Sequence, residues 1–343
     1  MDARNLLTLL VLVGSILLLA LAAELLEVRL FVRIVTNLFI MLVLVLGLQV
    51  FMGNAGILSF AHVGFMGVGA YTTAVLTIPV RMKGMALPDL YPLVAGLELS
   101  PFMGILAGGL VAALVAAVVA YPLMRLSDAA AVITLFALLV VLHTIMLHWS
   151  AVTNGPRTLF GLPRATGLGL AAAAAVLAVP LALLFKESRV GLLLRSSRDD
   201  EVAAAALGAR VPFLRWQAFV LAAFMAGIGG ALWAHFITSF SPKAFYLKES
   251  FVILAMLVIG GPGTVTGAVA GTYIVTLAFE SLRALEAWLN RAQIFAEQVV
   301  GLTEVVLALA MIGVLVLRPG GLVATREVGT WLLRRRSKKG DAP

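Results

Sequence analysis

Apolar runs long enough to cross about 30 Å of hydrocarbon recur along almost the whole chain, and they exclude any water-soluble fold. They lie at 6–23, 30–50, 55–79, 103–121, 129–148, 168–186, 213–236, 246–261, 264–282 and 298–317. Turn chemistry separates them: "RMKGMALPDLYP" at 81–92, "YPLMRLSD" at 121–128, "TNGPRTLFGLP" at 153–163 and "GGPG" at 260–263. Inside a bilayer the backbone must satisfy its own hydrogen bonds, which a helix does and a lone strand does not. The pattern predicts an all-α polytopic membrane protein with about ten transmembrane helices. Composition agrees: 62% of residues are hydrophobic and 12% charged, against about half and a quarter in soluble domains. No soluble stretch of domain size interrupts the runs, so residues 1–343 read as one transmembrane domain. The first run reaches bilayer length and reads as a retained helix rather than a signal peptide.

The net charge of +8 reads as an orientation signal rather than a nucleic-acid surface, because no basic groove with interleaved aromatics accompanies it. Seven Lys or Arg fall in the tail at 318–343, and six in the stretch 186–215 that contains the loop at 187–212. An even number of spans puts both on the side of the N-terminus, which predicts cytoplasmic termini. Cysteine is absent, which removes disulfides and thiolate metal sites. The sequence has no G-x-x-x-x-G-K-[ST] loop, H-E-x-x-H, G-x-S-x-G or spaced histidine cluster. A transport role without enzymatic chemistry is expected, with no cofactor or metal in this chain.

Three stretches carry functional information. "GNAGILSFAHVGFMGVGAY" at 53–71 sets five glycines, an Asn, a Ser and a His inside an apolar region. Glycine-rich backbone at membrane depth is tolerated where protein buries it or where it lines an aqueous path. A broken helix is expected, either lining a pathway through Gly53, Asn54, Gly56, Ser59, His62, Phe65 and Tyr71, or packed with its polar groups satisfied inside the bundle. Gly64, Gly67 and Gly69 would admit a neighbouring helix.

The second stretch follows "GGPG": Gly263, Gly267 and Gly271 recur at i, i+4 and i+8 and would pack one helical face closely. It echoes the first weakly, since "GNAG" and "GGPG" each precede a small-residue helix. The third, "RSSRDDEVAAAALGARVP", reads as a short helix capped by Ser197, with Asp199, Asp200 and Glu201 in its first turn and Gly208 at its end. With Arg195 and Arg198 it is either a surface for a cytoplasmic partner or a solvated connector whose arginines only set orientation. Other ionisable groups in or near spans are Arg33, Glu280, Glu304, His143, His148 and His235, none forming a midplane relay.

At these stretches the sequence resembles the LivM-type permease subunits of ATP-binding-cassette importers for branched-chain amino acids, from about residue 38 to 322. Gly53, Gly56, Ser59, His62, Phe65, Gly69, Ala70 and Tyr71 match the family's G-x-x-G-x-x-S-x-x-H-x-x-F-x-x-x-G-A-Y signature. "TNGPRTLFGLP" resembles its external segment, "GLLLRSSRDDEVAAAALGARV" its ATPase-contacting loop, and "GGPGTVTGAVAG" its glycine run. Gln49 stands where the family often has Asn, Ala61 where Gly commonly precedes the His, and residues 192–194 are less polar than usual. The resemblance implies a fold like the ten-helix permeases of the cobalamin importer class, in a bacterial or archaeal cell membrane. It also implies a homologous second permease subunit, two cytoplasmic ATPases that bind ATP and Mg, and a soluble substrate-binding protein. Relatives that carry urea or short amides leave the solute open, and a secondary carrier driven by an ion gradient is the rival class.

Overall fold

The computed structural model describes residues 3–126, 128–292, 301–318, 320–323, 327–331 and 333. Among these the chain is helical, and one antiparallel bridge joins Leu159 to Phe240. The principal helices are α1 (Ala3–Leu26), α2 (Arg29–Leu48, continued by a π-helical turn over Gln49–Gly53), α3 (His62–Thr77), α4 (Pro101–Leu123), α5 (Asp128–His148) and α6 (Leu168–Glu187). After α6 come α7 (Arg189–Asp199), α8 (Glu201–Ala206), α9 (Val211–Ile237), α10 (Leu247–Gly260), α11 (Val265–Arg291) and α12 (Leu302–Leu317). Seven helices, α1, α2, α4, α5, α6, α9 and α11, are long and apolar enough to cross a membrane. The other three expected spans correspond to α3, α10 and α12, which have 16, 14 and 16 residues. The protein is therefore an all-α polytopic membrane protein, with full bilayer length reached by seven of the ten expected spans.

Side-chain contacts sort the helix termini onto two ends. At one, here the tail end, the start of α1 meets Gly329, whose N–H donates to Thr8 Oγ1 at 3.1 Å. The ends of α4 and α6 and the starts of α9 and α11 join it through Arg215, Lys186 and Glu327. The opposite end carries the Leu159–Phe240 bridge and the Lys248–Glu304 ion pair at 2.6 Å. Of the expected basic tail, everything past residue 333 lies outside the described residues.

Helix α2 is the axis. Residues 38–48, "LFIMLVLVLGL", have no polar face, and every one of them is buried, as an all-round apolar helix must be. Helix α9 lies across α3 and α4 through small residues: Gly227 faces Gly108 and Gly109, Gly69 faces Gly227, and Gly230 sits against the Met66 backbone. Such junctions replace the hydrophobic drive that lipid does not provide. Gly267 and Gly271 of α11 face the backbone of α10 at 256–261. Gly263 departs from expectation. Thr264 caps α11, its Oγ1 accepting from Gly267 N–H at 3.0 Å, so Gly263 lies in the preceding turn and not on the helical face.

The tail returns to clamp these ends. Leu322 and Val323 N–H donate to the Ile259 and Gly260 carbonyls, each at 2.9 Å, and Thr264 Oγ1 donates to the Val323 carbonyl at 2.8 Å. The buried Glu327 carboxylate accepts from Lys186 Nζ at 2.5 Å, from Val265 N–H and Thr266 N–H at 2.9 Å each, and from Thr266 Oγ1 at 2.5 Å. A carboxylate across the first amides of a helix faces the positive end of its dipole. Burial pushes this carboxyl up, but the Lys186 charge and the hydrogen bonds from Lys186 and Thr266 outweigh it and hold Glu327 below the ordinary carboxylate range.

Two outcomes follow from this packing. Gly230→Ala drives a methyl into the Met66 carbonyl and should destabilise the protein by about 1–3 kcal/mol, the usual cost of overpacking. Gly14→Ala meets open space on α1 and should stabilise by up to about 1 kcal/mol through helix propensity, both read by thermal unfolding in lipid nanodiscs. A depressed folded-state pKa makes the contribution of Glu327 complete above the unfolded value of about 4.3 and lost as pH falls through the lower folded value. Exchange of the Val265 and Thr266 amides, corrected for intrinsic rate, should accelerate in that acid window and not between pH 7 and 5. Glu327→Gln should abolish the step; an unchanged profile would exclude the assignment.

Candidate translocation segment and coupling helices

The glycine-rich stretch breaks at residues 56–61, between two helices. Helical backbone runs through Ala55, Gly56 adopts φ +73°, residues 56–59 are irregular, and α3 begins at His62. His62 Nε2 donates to the Leu44 carbonyl at 2.9 Å. Since a carbonyl only accepts, Nε2 carries the proton. Leu44 lies about 16 Å back along α2 from Ala55 at 1.5 Å per residue, and the connecting residues can reach about 23 Å if extended. The chain thus turns at the tail end and climbs back beside α2 as irregular backbone, so α3 starts part-way up the bundle. That is why the span expected at 55–79 contains a helix of only 16 residues.

The seven residues singled out from the sequence divide into three places. Gly53, Asn54 and Gly56 form the corner itself; Gly53 faces the Pro262 carbonyl, and Gly56 faces the Arg198 stem. Ser59, His62 and Phe65 lie along the return, where the Phe65 ring packs edge-on to Phe219 at 5.5 Å and Phe219 to Phe51 at 5.1 Å. Tyr71 sits farther along α3 in an aromatic cluster with Phe240 and Phe245, at 5.1 and 5.9 Å. Phe65 and Tyr71 are therefore not gathered with the corner. Asn54 Nδ2 donates to the Val50 carbonyl at 2.9 Å, yet Asn54 Oδ1, Ser59 Oγ and the Tyr71 hydroxyl are buried without a protein partner.

Gln49, noted in the sequence as a departure from the family pattern and not among the seven, belongs to the same place. It is fully buried, its Nε2 donates to the Pro262 carbonyl at 3.4 Å, and its Oε1 has no protein partner. Two corners, 53–56 and 260–263, thus meet one another. The weak echo of "GNAG" and "GGPG" pointed to the pair of corners, though not to their contact.

Next to the corners stands a helical hairpin, α7 and α8, where one helix was expected. Ser197 lies inside α7, its Oγ donating to the Leu194 carbonyl at 2.8 Å. The cap of α8 is Asp200, whose Oδ1 accepts from Ala203 N–H at 2.9 Å. Two caps in close succession, Ser188 for α7 and Asp200 for α8, explain the split. Asp199 closes α7, and Gly208, at φ +88°, turns the chain out of α8. Arg195 pairs loosely with Glu187 at 3.8 Å, whereas Glu201 accepts from the buried Arg215 at 2.7 Å, fixing α8 to α9. Arg215 also donates to the Leu126 carbonyl at 3.3 Å. Exposed apolar side chains stand here beside exposed Arg198, Asp199 and Asp200: Val202 is 81% and Leu207 85% exposed, and Leu192 and Leu193 are exposed too.

Near the opposite end, His235 and Glu304 have local partners. His235 Nδ1 donates to the Pro163 carbonyl at 2.9 Å, which leaves Nε2 to accept from Thr73 Oγ1 at 3.0 Å. Glu304 pairs with Lys248. Among the described residues no group of His, Asp and Glu is arranged to hold a metal ion.

The family described as "Branched-chain amino acid transport system / permease component" matches residues 30–315. The high-affinity branched-chain amino acid transport system permease protein LivM of Salmonella typhimurium is 27% identical over 288 residues, 74% of this chain and 63% of that protein. LivM of Escherichia coli is 27% identical over 305 residues, 78% of this chain and 67% of that protein. The nucleoside ABC transporter permease protein NupC of Lactococcus lactis is 35% identical over 78 residues, 23% of this chain and 24% of that protein. The chain thus spans about two thirds of the length of the two LivM proteins. No solved structure matches it. With the family match covering most of the chain, this protein belongs to the family of permease components of branched-chain amino acid transport systems.

Proposed function

We propose that this chain is the transmembrane subunit of an ATP-driven importer for branched-chain amino acids, working with a homologous second permease, two ATPases and a soluble binding protein. The observation that carries it is the hairpin of α7 and α8. It is doubly capped, tied to α9 by Glu201 and Arg215, and still presents Val202 and Leu207 almost fully exposed. Apolar side chains held outward on a rigid mount are what a protein partner needs. The hairpin shares its end of the molecule with the tail and with the densest Lys and Arg in the sequence, which makes that end cytoplasmic under the positive-inside rule. The partner there is then a cytosolic ATPase, since this sequence has no phosphate-binding loop of its own.

Arg195, Arg198, Asp199, Asp200, Glu201 and Gly208 form or frame the coupling hairpin. The solute path runs by the corner at Gly53, Asn54, Gly56 and Ser59, where Gln49, Asn54 and Ser59 hold unpaired polar atoms. Branched-chain amino acids are favoured by the names of the two LivM relatives; the shorter match to NupC concerns a permease named for nucleosides.

Substituting Val202→Asp and Leu207→Asp together leaves the fold intact and should weaken co-purification with the ATPase and ATP-dependent leucine uptake by proteoliposomes about tenfold or more, the scale of losing interface anchors. Uptake driven by a proton or sodium gradient without ATP, or unchanged ATPase binding in the double variant, would refute the reading.

A further inference from the structure

Resting on the importer reading above, we propose that Glu327 is a positioning residue for transport: it links the coupling hairpin to the second corner, so that movement of α7 reaches the solute path from two sides at once.

Helix α7 is attached at both ends. Arg198, in its last turn, lays its stem against Gly56 of the first corner. Just before its first turn stands Lys186, separated from α7 only by Glu187 and the cap Ser188, whose Oγ accepts from Gly191 N–H at 3.1 Å. Lys186 Nζ donates to Glu327 Oε1 at 2.5 Å, and both residues are buried. The same carboxylate holds the first two amides of α11 and the Thr266 hydroxyl. The corner at 260–263 therefore lies between two points fixed by the tail: Leu322 and Val323 pair with residues 259 and 260 on one side, and Glu327 holds residues 265 and 266 on the other. The circuit closes where the corners touch, with Gln49 Nε2 donating to the Pro262 carbonyl and Gly53 packed on it.

A displacement of α7 cannot move one corner and leave the other in place without breaking a link of this circuit. The Arg198 link is a side-chain stem packed directly against the Gly56 backbone, able to push. The Lys186–Glu327 link is a buried ion pair with every carboxylate oxygen engaged, able to pull. The tail segment thus acts as a tie rod between the hairpin and α11, and Lys186 is the end that the hairpin moves.

The test uses the assembled complex with its ATPases in proteoliposomes, measuring solute uptake and ATP hydrolysis together. Glu327→Gln and Lys186→Met should each lower solute moved per ATP hydrolysed by about fivefold or more, a normal scale for a lost coupling, while hydrolysis stays near the wild-type rate. The double variant should be no worse than either single one, and Lys186→Arg, which keeps the charge, should retain coupling. Hydrogen exchange on the wild-type complex supplies a readout without substitution: ATP binding should change protection at Val265 and Thr266. Variants that lose uptake and hydrolysis in parallel, that keep the wild-type ratio, or a wild-type complex with no nucleotide effect at those amides would overturn the role of Glu327 alone. A wild-type complex without ATP-dependent uptake would overturn the importer reading, and this inference with it.

Discussion

A peptide group that leaves the helix inside a bilayer must find its hydrogen bond within the protein, and the fold is organised around the place where this chain leaves it. Residues 56–61 run back beside α2 as irregular backbone, with Ile57, Ser59 and Ala61 buried, Gly56 against the Arg198 stem and the Phe60 ring edge-on to Phe136 of α5 and Phe251 of α10. Helix α2, apolar all round and buried throughout from 38 to 48, is the most enclosed of the seven long helices. The short α3 is the remainder of a span whose first part is not helical. The glycines at 69, 108, 227 and 230 let α3, α4 and α9 pack backbone against backbone.

Energetics place a different weight on the Lys186–Glu327 pair. Burying two charges costs several kcal/mol per ion, and a well-packed apolar pair of similar size is often as stable or more so. Breaking such a pair from one side is far more costly, about 3–5 kcal/mol, because a charge is left buried. The pair is thus a poor means of adding stability and an effective means of enforcing one relative position of α6, α11 and the tail. The orphaned oxygens of Gln49, Asn54 and Ser59 are the reverse case: each costs stability where it stands, and the proposed solute path would account for their place.

What could be read from the sequence follows the physics of each signal. Apolar length and turn residues gave the helices because burial in lipid leaves few alternatives. The break in 53–71 was visible because glycine and polar residues at that depth need shelter, though its position at 56–61 depends on the His62–Leu44 bond, a contact across 18 positions. Gly267 and Gly271 were legible as a packing face; Gly263 misled because periodicity does not mark where a cap begins, and Thr264 does. The hairpin was read as one helix because Ser197 and Asp200 are both good caps, and only the fold decides between them. Glu327 and Arg215 had no local signal. Each is charged near other charges in sequence, and its partner, Lys186 or Glu201, comes from another helix.

The central claim, resting on the proposed function, is that irregular backbone at 56–61 borders an aqueous path opened and closed by nucleotide. The chain has no cysteine, so single thiols report without background. In the assembled complex, Ser59→Cys should react with a charged, membrane-impermeant thiol reagent in one nucleotide state and be protected in the other, while Leu177→Cys, exposed on the outer surface of α6, stays unreactive in both. A Ser59→Cys thiol as inert as Leu177→Cys in every nucleotide state would contradict the account.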